Sequence, residues 1–330
     1  MANREGAGRR SGCLRYGCLG CAGLIALAVI AAGVIAVLAL VMEPPGTEMV
    51  SPGVTREVPA RPGTGDGSAS SDSRAPDLPS ELRPPGPEGA GRVVLDLSEG
   101  VFEMVPGDPG SPIRVDGSYN AGAYELEEAF EEEPGGEWTY RLTFRRSVSW
   151  IRLLKVEDEQ ENRLRITLPR DLPFALEGVV RRGESRMRLG GLSVRELDLR
   201  LLQGEHRLEF RAPTPLPMER FAIDASQGNF VLDGLGNASP ATLVARGSMG
   251  EMLLGLDGAW RNDAEIHGGW RMGELRVRVP AGVHVNVDEI GMFLGGSDTS
   301  ALRSLAPAPQ GAPTLSIAFS GSMGQISVTP

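Results

Sequence analysis

The residues best suited to catalysis in this chain are three aspartates in neighbouring segments, Asp224, Asp233 and Asp257. Two carboxyl groups about 5–10 Å apart can cleave a glycosidic bond, so these residues could belong to an enzyme that acts on polysaccharides. However, Asp233 and Asp257 each precede a glycine, and Asp-Gly is the ordinary composition of a turn. We therefore predict no catalytic residues and no enzymatic activity, with a polysaccharide-active enzyme as the third hypothesis.

Few residues of the chain have the types and spacing of a metal or cofactor site. His206, His267 and His284 are its only histidines, and no two of them show a metal-ligand spacing. The acidic run from Glu125 to Glu133 lacks the Asp, Asn and Gly spacing of a calcium loop, and a solvated loop or edge explains it better. We predict no metal ion and no cofactor.

Five arginines could instead form a binding surface. They stand three or five residues after a recurrent glycine described below, and they are Arg186, Arg188, Arg207, Arg276 and Arg278. Such a stripe could bind an anionic envelope polymer or an acidic protein partner, and that partner could be a membrane protein. The alternative is a solubilising face in which Glu209 is interspersed. The net charge of −10 makes nucleic acid an unexpected partner.

One segment has the properties of a membrane span. Residues 19–42 contain no charged side chain, and a helix needs about 20 residues to cross a bilayer. Four arginines precede this segment, so residues 1–18 are predicted to be cytoplasmic and the rest extracytoplasmic at the cell membrane. A cleaved signal peptide is the alternative, although its apolar region would be shorter. The three cysteines, at positions 13, 18 and 21, leave none for the rest of the chain.

The segment that follows, residues 43–91, has the composition of a tether. It holds ten prolines and eight glycines and shows almost no apolar periodicity. Such a stretch cannot bury enough surface to fold, so we predict a disordered linker that carries residues 92–330 away from the membrane.

The remaining chain has a repeat. A glycine followed by Glu, Asn or Gln occurs at Gly183, Gly204, Gly228, Gly250, Gly273 and Gly324, with spacings of 21, 24, 22, 23 and finally 51 residues. Apolar residues alternate with polar ones on both sides of each glycine, which predicts a strand, a turn with positive φ at the glycine, and a second strand. Units of this length that cannot bury their apolar face alone are typical of a β-solenoid.

The last gap of 51 residues spans about two periods. It predicts one degenerate unit near Gly291 and an interrupting loop over residues 301–313. The final unit, Leu315–Val328, is then expected to cap the solenoid.

These residues resemble a known domain. GESRMRLGGLSVRELDLRLLQGEHRLEF (183–210), preceded by NRLRITLPRDLPFALEG (162–178), is similar to the toast-rack β-solenoid domain, which also forms the carboxyl-terminal part of bacterial LiaF-like, cell-wall-active-antibiotics-response proteins and related adhesin domains. RVVLDLSEGVFEMVPG (92–107) and IRVDGSYN (113–120) resemble its first rungs. The resemblance implies an all-β, single-stacked solenoid, often membrane-anchored, with no catalytic residues to transfer.

From the residues and the resemblance together we predict a non-enzymatic binding or scaffolding module of a bacterial cell envelope. The alternative is a regulator of envelope-stress signalling that acts through the membrane helix. The chain departs from LiaF-like proteins because it has one predicted span where they have several.

Overall fold

The computed structural model describes residues 49–50, 54–56, 91–132, 136–147 and 161–330. These residues form an all-β structure, as predicted, and their strands belong to one large sheet. Its strands are β1 (Met49–Val50), β2 (Val54–Arg56), β3 (Gly91–Pro106), β4 (Ile113–Asn120), β5 (Tyr124–Glu132), β6 (Trp138–Arg146), β7 (Arg163–Leu168), β8 (Phe174–Arg188), β9 (Val194–Glu209), β10 (Arg220–Asp233), β11 (Thr242–Gly255), β12 (Ala264–Arg278), β13 (His284–Asp298) and β14 (Thr314–Thr329). One short helix, α1 (Leu235–Ala238), and one 3-10 turn, η1 (Ser300–Ser304), accompany them.

The predicted cytoplasmic segment and membrane span lie outside the described residues, as does most of the predicted linker. Two short pieces of that linker, β1 and β2, pair with β4, and its last residue, Gly91, begins β3. In the part of the chain that is described, no helix has the length and hydrophobicity needed to cross a membrane.

Successive repeats lie side by side in the sheet. Strands β8 to β12 follow one another in chain order, and each is parallel to the next with its motif glycine beside the neighbouring motif glycine. A strand of 14 to 16 residues therefore serves as one repeat. We call this array the parallel stack.

A glycine bends each long strand at its middle. All six motif glycines have positive φ, for example 143° at Gly228, which confirms the predicted role of these glycines. Their backbones also stack closely: a Cβ added to Gly228 would lie 1.9 Å from the carbonyl oxygen of Gly204. Only glycine meets both requirements, because any other residue would be strained in this conformation and would collide with the adjacent strand.

The apolar residues predicted on both sides of each glycine form the core. On β9, for instance, Leu197, Leu199, Leu201 and Leu208 are fully buried, and the matching positions of the neighbouring repeats are buried as well. Inward-facing side chains in adjacent strands thus contact one another continuously along the parallel stack.

Large side chains on the neighbouring strands explain a repeated tetrapeptide in the sequence. The indole of Trp270 is buried, and Trp270 is aligned with Gly247 on β11 and Gly321 on β14, the first residues of the two Gly-Ser-Met-Gly segments. A Cβ on Gly247 would lie 1.7 Å from ring carbon Cζ3 of Trp270. The indole therefore excludes a side chain at Gly247, whereas at Gly321 an added Cβ would lie 2.1 Å from Sδ of Met292 on β13.

The amino-terminal end of the parallel stack is covered by shorter strands. The first half of β3 pairs with β6, and β6 pairs antiparallel with β5. The second half of β3 pairs with β7, and β7 pairs antiparallel with β4. Aromatic side chains close the core there, including Phe102 and Phe144 with ring centroids 6.0 Å apart.

The carboxyl-terminal end differs from the prediction. The degenerate unit exists as β13, with Gly295 rather than Gly291 at the turn position beside Gly324. The strand order, however, is β12, β14, β13, so that the last strand of the sequence lies inside the sheet and β13 lies at its edge. The expectation that residues 315–328 cap the structure is therefore wrong, because β14 completes the core next to β12 and leaves β13 outermost.

Candidate binding cleft

The predicted arginine stripe is divided by the structure into two groups. Arg186 and Arg188 lie on β8 beside Arg207 on β9, whereas Arg276 and Arg278 lie on β12. Val231 and Leu253 occupy the intervening positions on β10 and β11. At a strand spacing of about 4.8 Å, the two groups are about 14 Å apart.

Four of the five stripe arginines are paired with carboxylates. Arg188 lies 3.2 Å from Glu103, Arg207 lies 3.5 Å from Glu209, and Arg276 donates to Glu274 at 2.6 Å. Arg278 donates from Nε to Asp257 at 2.7 Å and from Nη2 to Asp233 at 2.7 Å. Within the described residues, Arg186 alone of the five has no carboxylate at ion-pair distance.

The three candidate aspartates do not form one group. Asp233 and Asp257 both accept hydrogen bonds from Arg278, and Gly255 between them leaves room for this guanidinium. Asp224 stands four residues before its turn glycine, on the other limb of the bent strand. Asp233 and Asp257 are thus both engaged by one guanidinium, and Asp224 is not placed beside them as the second carboxyl group that glycoside hydrolysis requires.

One polar pair lies within the core. Ser185 Oγ is 2.8 Å from Nδ1 of His206, and the imidazole stacks on Phe230 with centroids 5.5 Å apart. Burial lowers the pKa of His206 to about 4, and its Nε2 atom has no hydrogen-bond partner among the described residues. Both side chains are buried, so this pair has a structural role rather than that of a nucleophile and its base.

A cleft of about 530 Å³ lies on the outer face of the parallel stack, on the limb before the turn glycines. Its rim carries Arg200 on β9, Arg246 on β11 and Arg271 on β12, all exposed. Its floor carries small outward residues from four strands, namely Ser226, Ser248, Gly269, Ser320 and Ser322. Residues of the inward rows, Ala225, Gly247, Gly268, Trp270 and Gly321, also line it.

The cleft exists because large side chains are missing from its floor. Gly269, at the outward position between Arg246 and Ser320, contributes no side chain to the floor. Glycine and serine at the neighbouring outward positions keep the floor low, while the longer arginines rise at its rim. We call this site the arginine cleft.

The charges of the arginine cleft are mostly uncompensated. Among the described residues, Arg200, Arg246 and Arg271 have no carboxylate within 4.0 Å. Asp224 is aligned between Arg200 and Arg246 and is the one acidic residue in the lining. Three guanidinium groups and four hydroxyl groups can therefore donate to an anionic or hydroxyl-rich ligand.

Sequence reasoning missed these arginines because it followed the positions after each glycine. The signal was available four and two residues before the glycines, where Arg200, Arg246 and Arg271 stand among serines rather than glutamates. A second cleft of about 550 Å³ shares Arg200, but its lining includes Asp96, Glu177 and Asp198, which would repel an anion.

In the regions the structure covers, no group of three or more His, Cys, Asp or Glu side chains could hold a metal ion. No known family and no curated protein matches the chain. The chain is similar to a "putative cell adhesion protein" from Clostridium sporogenes, with 13% identity and a TM-score of 0.40 over 74% of this chain and 94% of that chain. It is also similar to a "putative adhesin" from Bacteroides fragilis, with 9% identity and a TM-score of 0.33 over 85% and 98%. Similarity this low carries no argument about function.

Proposed function

We propose that this chain is a non-enzymatic binding module of a bacterial cell envelope, anchored by residues 19–42 and displayed outside the membrane, and that its ligand is an anionic polymer. The arginine cleft is the observation that supports this proposal. Its three guanidinium groups are free of ion pairs among the described residues, while four of the five stripe arginines are not.

The arrangement of the arginine cleft suits an extended ligand. Arg200 and Arg246 occupy the same repeat position two strands apart, which corresponds to about 10 Å. Arg271 follows on the next strand, so the positive charges run along the direction in which the strands are stacked. A polymer with repeated carboxylate or phosphate groups could engage all three.

The fold proposed for this module is a single-stacked, toast-rack-like β-solenoid. Parallel in-register repeats of 21 to 24 residues, each bent at a glycine, support this assignment. Regular repeats with close-packed backbones hold the arginines at fixed separations, which reduces the ordering cost of binding.

The test uses the full-length protein in detergent micelles and two probes, polygalacturonate and inorganic polyphosphate, with uncharged dextran as the control polymer. The triple variant Arg200→Gln, Arg246→Gln, Arg271→Gln is expected to weaken binding about tenfold or more, since each exposed charge contact contributes about 0.5–1 kcal/mol. Binding to the unsubstituted protein should also weaken as salt rises.

A matched triple variant, Arg186→Gln, Arg188→Gln, Arg207→Gln, is expected to bind nearly as well as the unsubstituted protein. Equal losses in both triple variants would indicate attraction by net charge rather than a cleft. If only the second variant lost polymer binding, the binding site would be the predicted stripe and not the arginine cleft. Binding of dextran would show that the ligand need not be an anion.

A further inference from the structure

The two ends of the parallel stack are finished differently. At the amino-terminal end, β4 to β7 and several buried aromatic residues cover β3. At the other end β13 is outermost, and the described residues place no strand beyond it. The inward residues Leu315, Ile317 and Phe319 of β14 are at most 1% exposed. Their β13 counterparts, Val285, Val287 and Ile290, are only partly covered.

Two large apolar side chains of β13 are also exposed. Phe293 is 85% exposed and Leu294 is 57% exposed. Leu294 is aligned with three exposed methionines on the strands beside it, Met323, Met272 and Met249. A free edge with apolar side chains on both faces is what a further strand would cover.

The acidic residues of β13 indicate which strand would cover its free edge. Asp288 and Glu289 precede the apolar stretch of β13, and Asp298 follows it. A second β13 added in parallel and in register would place these acids beside their own copies, which is unfavourable. Stacking on the other end of a second molecule would bring them to β5, whose outer residues include Glu125, Glu127 and Glu131.

An antiparallel arrangement avoids both conflicts. With a two-fold axis near Gly291, the acids at 288 and 289 face Leu294 and Phe293 of the second copy, while His284 lies toward its Asp298. We propose that β13 is the interface through which two copies of this chain associate, edge to edge and antiparallel, as a closed dimer. Such a contact uses the same surface on both copies, so it ends at two molecules.

The first test is cross-linking in native membranes. In a chain with Cys13, Cys18 and Cys21 replaced by serine, Gly291→Cys places a thiol at the edge, where an added side chain meets no atom within 4 Å. The matched control is Gly269→Cys, at the same repeat position two strands further in, where the nearest atom is 3.4 Å away. Mild oxidation is expected to yield a dimer from Gly291→Cys and none from Gly269→Cys.

The second test is the mass of the full-length protein in detergent. Leu294→Asp is expected to weaken the dimer at least tenfold, because in the proposed register it places a carboxylate opposite Asp288 of the second copy. Met249→Asp, at the same repeat position three strands away, should leave the dimer intact. Assemblies larger than two, a dimer insensitive to Leu294→Asp, or cross-linking of Gly291→Cys to a different protein would each overturn the proposal. None of these outcomes depends on binding at the arginine cleft.

Discussion

At the scale of single residues, His206 couples stability to pH. Burial lowers the pKa of the folded imidazole to about 4, against an ordinary value of 6.5. The unfolded chain therefore binds a proton at a higher pH than the folded chain does. The contribution of His206 to the free energy of unfolding is fully present above pH 6.5. It is lost as the pH falls toward 4, and the total loss is about 3 kcal/mol.

We expect His206→Phe to remove this contribution, because phenylalanine keeps the stacking position beside Phe230 and cannot be protonated. Denaturant unfolding of the full-length protein at pH 7.5 and pH 5 measures it, and the unsubstituted protein should lose about 2 kcal/mol more than the variant. The exposed His267, replaced by glutamine, is the control. An equal loss in His206→Phe would mean that other groups account for the pH dependence.

At the scale of the strand, the turn glycines decide whether a repeat can bend and stack. Gly228→Ala should destabilise the protein by about 1–3 kcal/mol through backbone strain alone. The clash of its Cβ with the carbonyl of Gly204, 1.9 Å away, adds to that cost. Thermal or denaturant unfolding measures the change.

Gly296→Ala is the comparison for this variant. Gly296 is also on a bent strand, but its φ is not positive and an added Cβ meets no atom within 4 Å. The stability of the Gly296→Ala variant should be nearly unchanged. A similar loss of stability in both variants would mean that the bend at Gly228 is not the cause.

At the scale of the whole molecule, β13 is an insertion between two strands that are neighbours in space. Deleting residues 284–313 leaves 21 residues between Gly273 and Gly324, the same spacing as between Gly183 and Gly204. The five residues 279–283 would then connect β12 to β14, as residues 189–193 connect β8 to β9. We expect the shortened protein to fold cooperatively and to be monomeric.

Deleting residues 314–330 should have the opposite result. It removes β14, leaves β12 with an open apolar face and detaches β13, so aggregation is expected. Size-exclusion chromatography and cooperative unfolding distinguish the two truncations, and the reverse ranking would contradict the observed strand order.

The two proposed surfaces would reinforce each other in the complete assembly. The arginine cleft reaches Ser320 and Ser322 on β14, the strand next to the proposed interface. A dimer through β13 would therefore carry two clefts near one another, and a long polymer could bind both with greater avidity than a short fragment.

The sequence by itself determined the all-β class, the positions of the bends and the identity of the core residues. Alternation of apolar and polar residues is a local property, since side chains two apart share a face whichever strand lies alongside. The positive φ of the turn glycines is local as well. For this reason residues such as Leu208 and Phe230 were placed in the core correctly.

Only the tertiary structure decided the strand order at the carboxyl-terminal end, the neutralisation of the arginine stripe and the existence of the arginine cleft. Each depends on which strands are adjacent and on how far a long side chain reaches across them. Arg278 extends over Gly255 to Asp233, 45 residues earlier in the chain. β14 replaces β13 beside β12 because its apolar alternation completes the core, while the bulge and acidic residues of β13 suit it to the edge. Such choices compare the free energies of alternative neighbours, which the pattern within a single repeat does not contain.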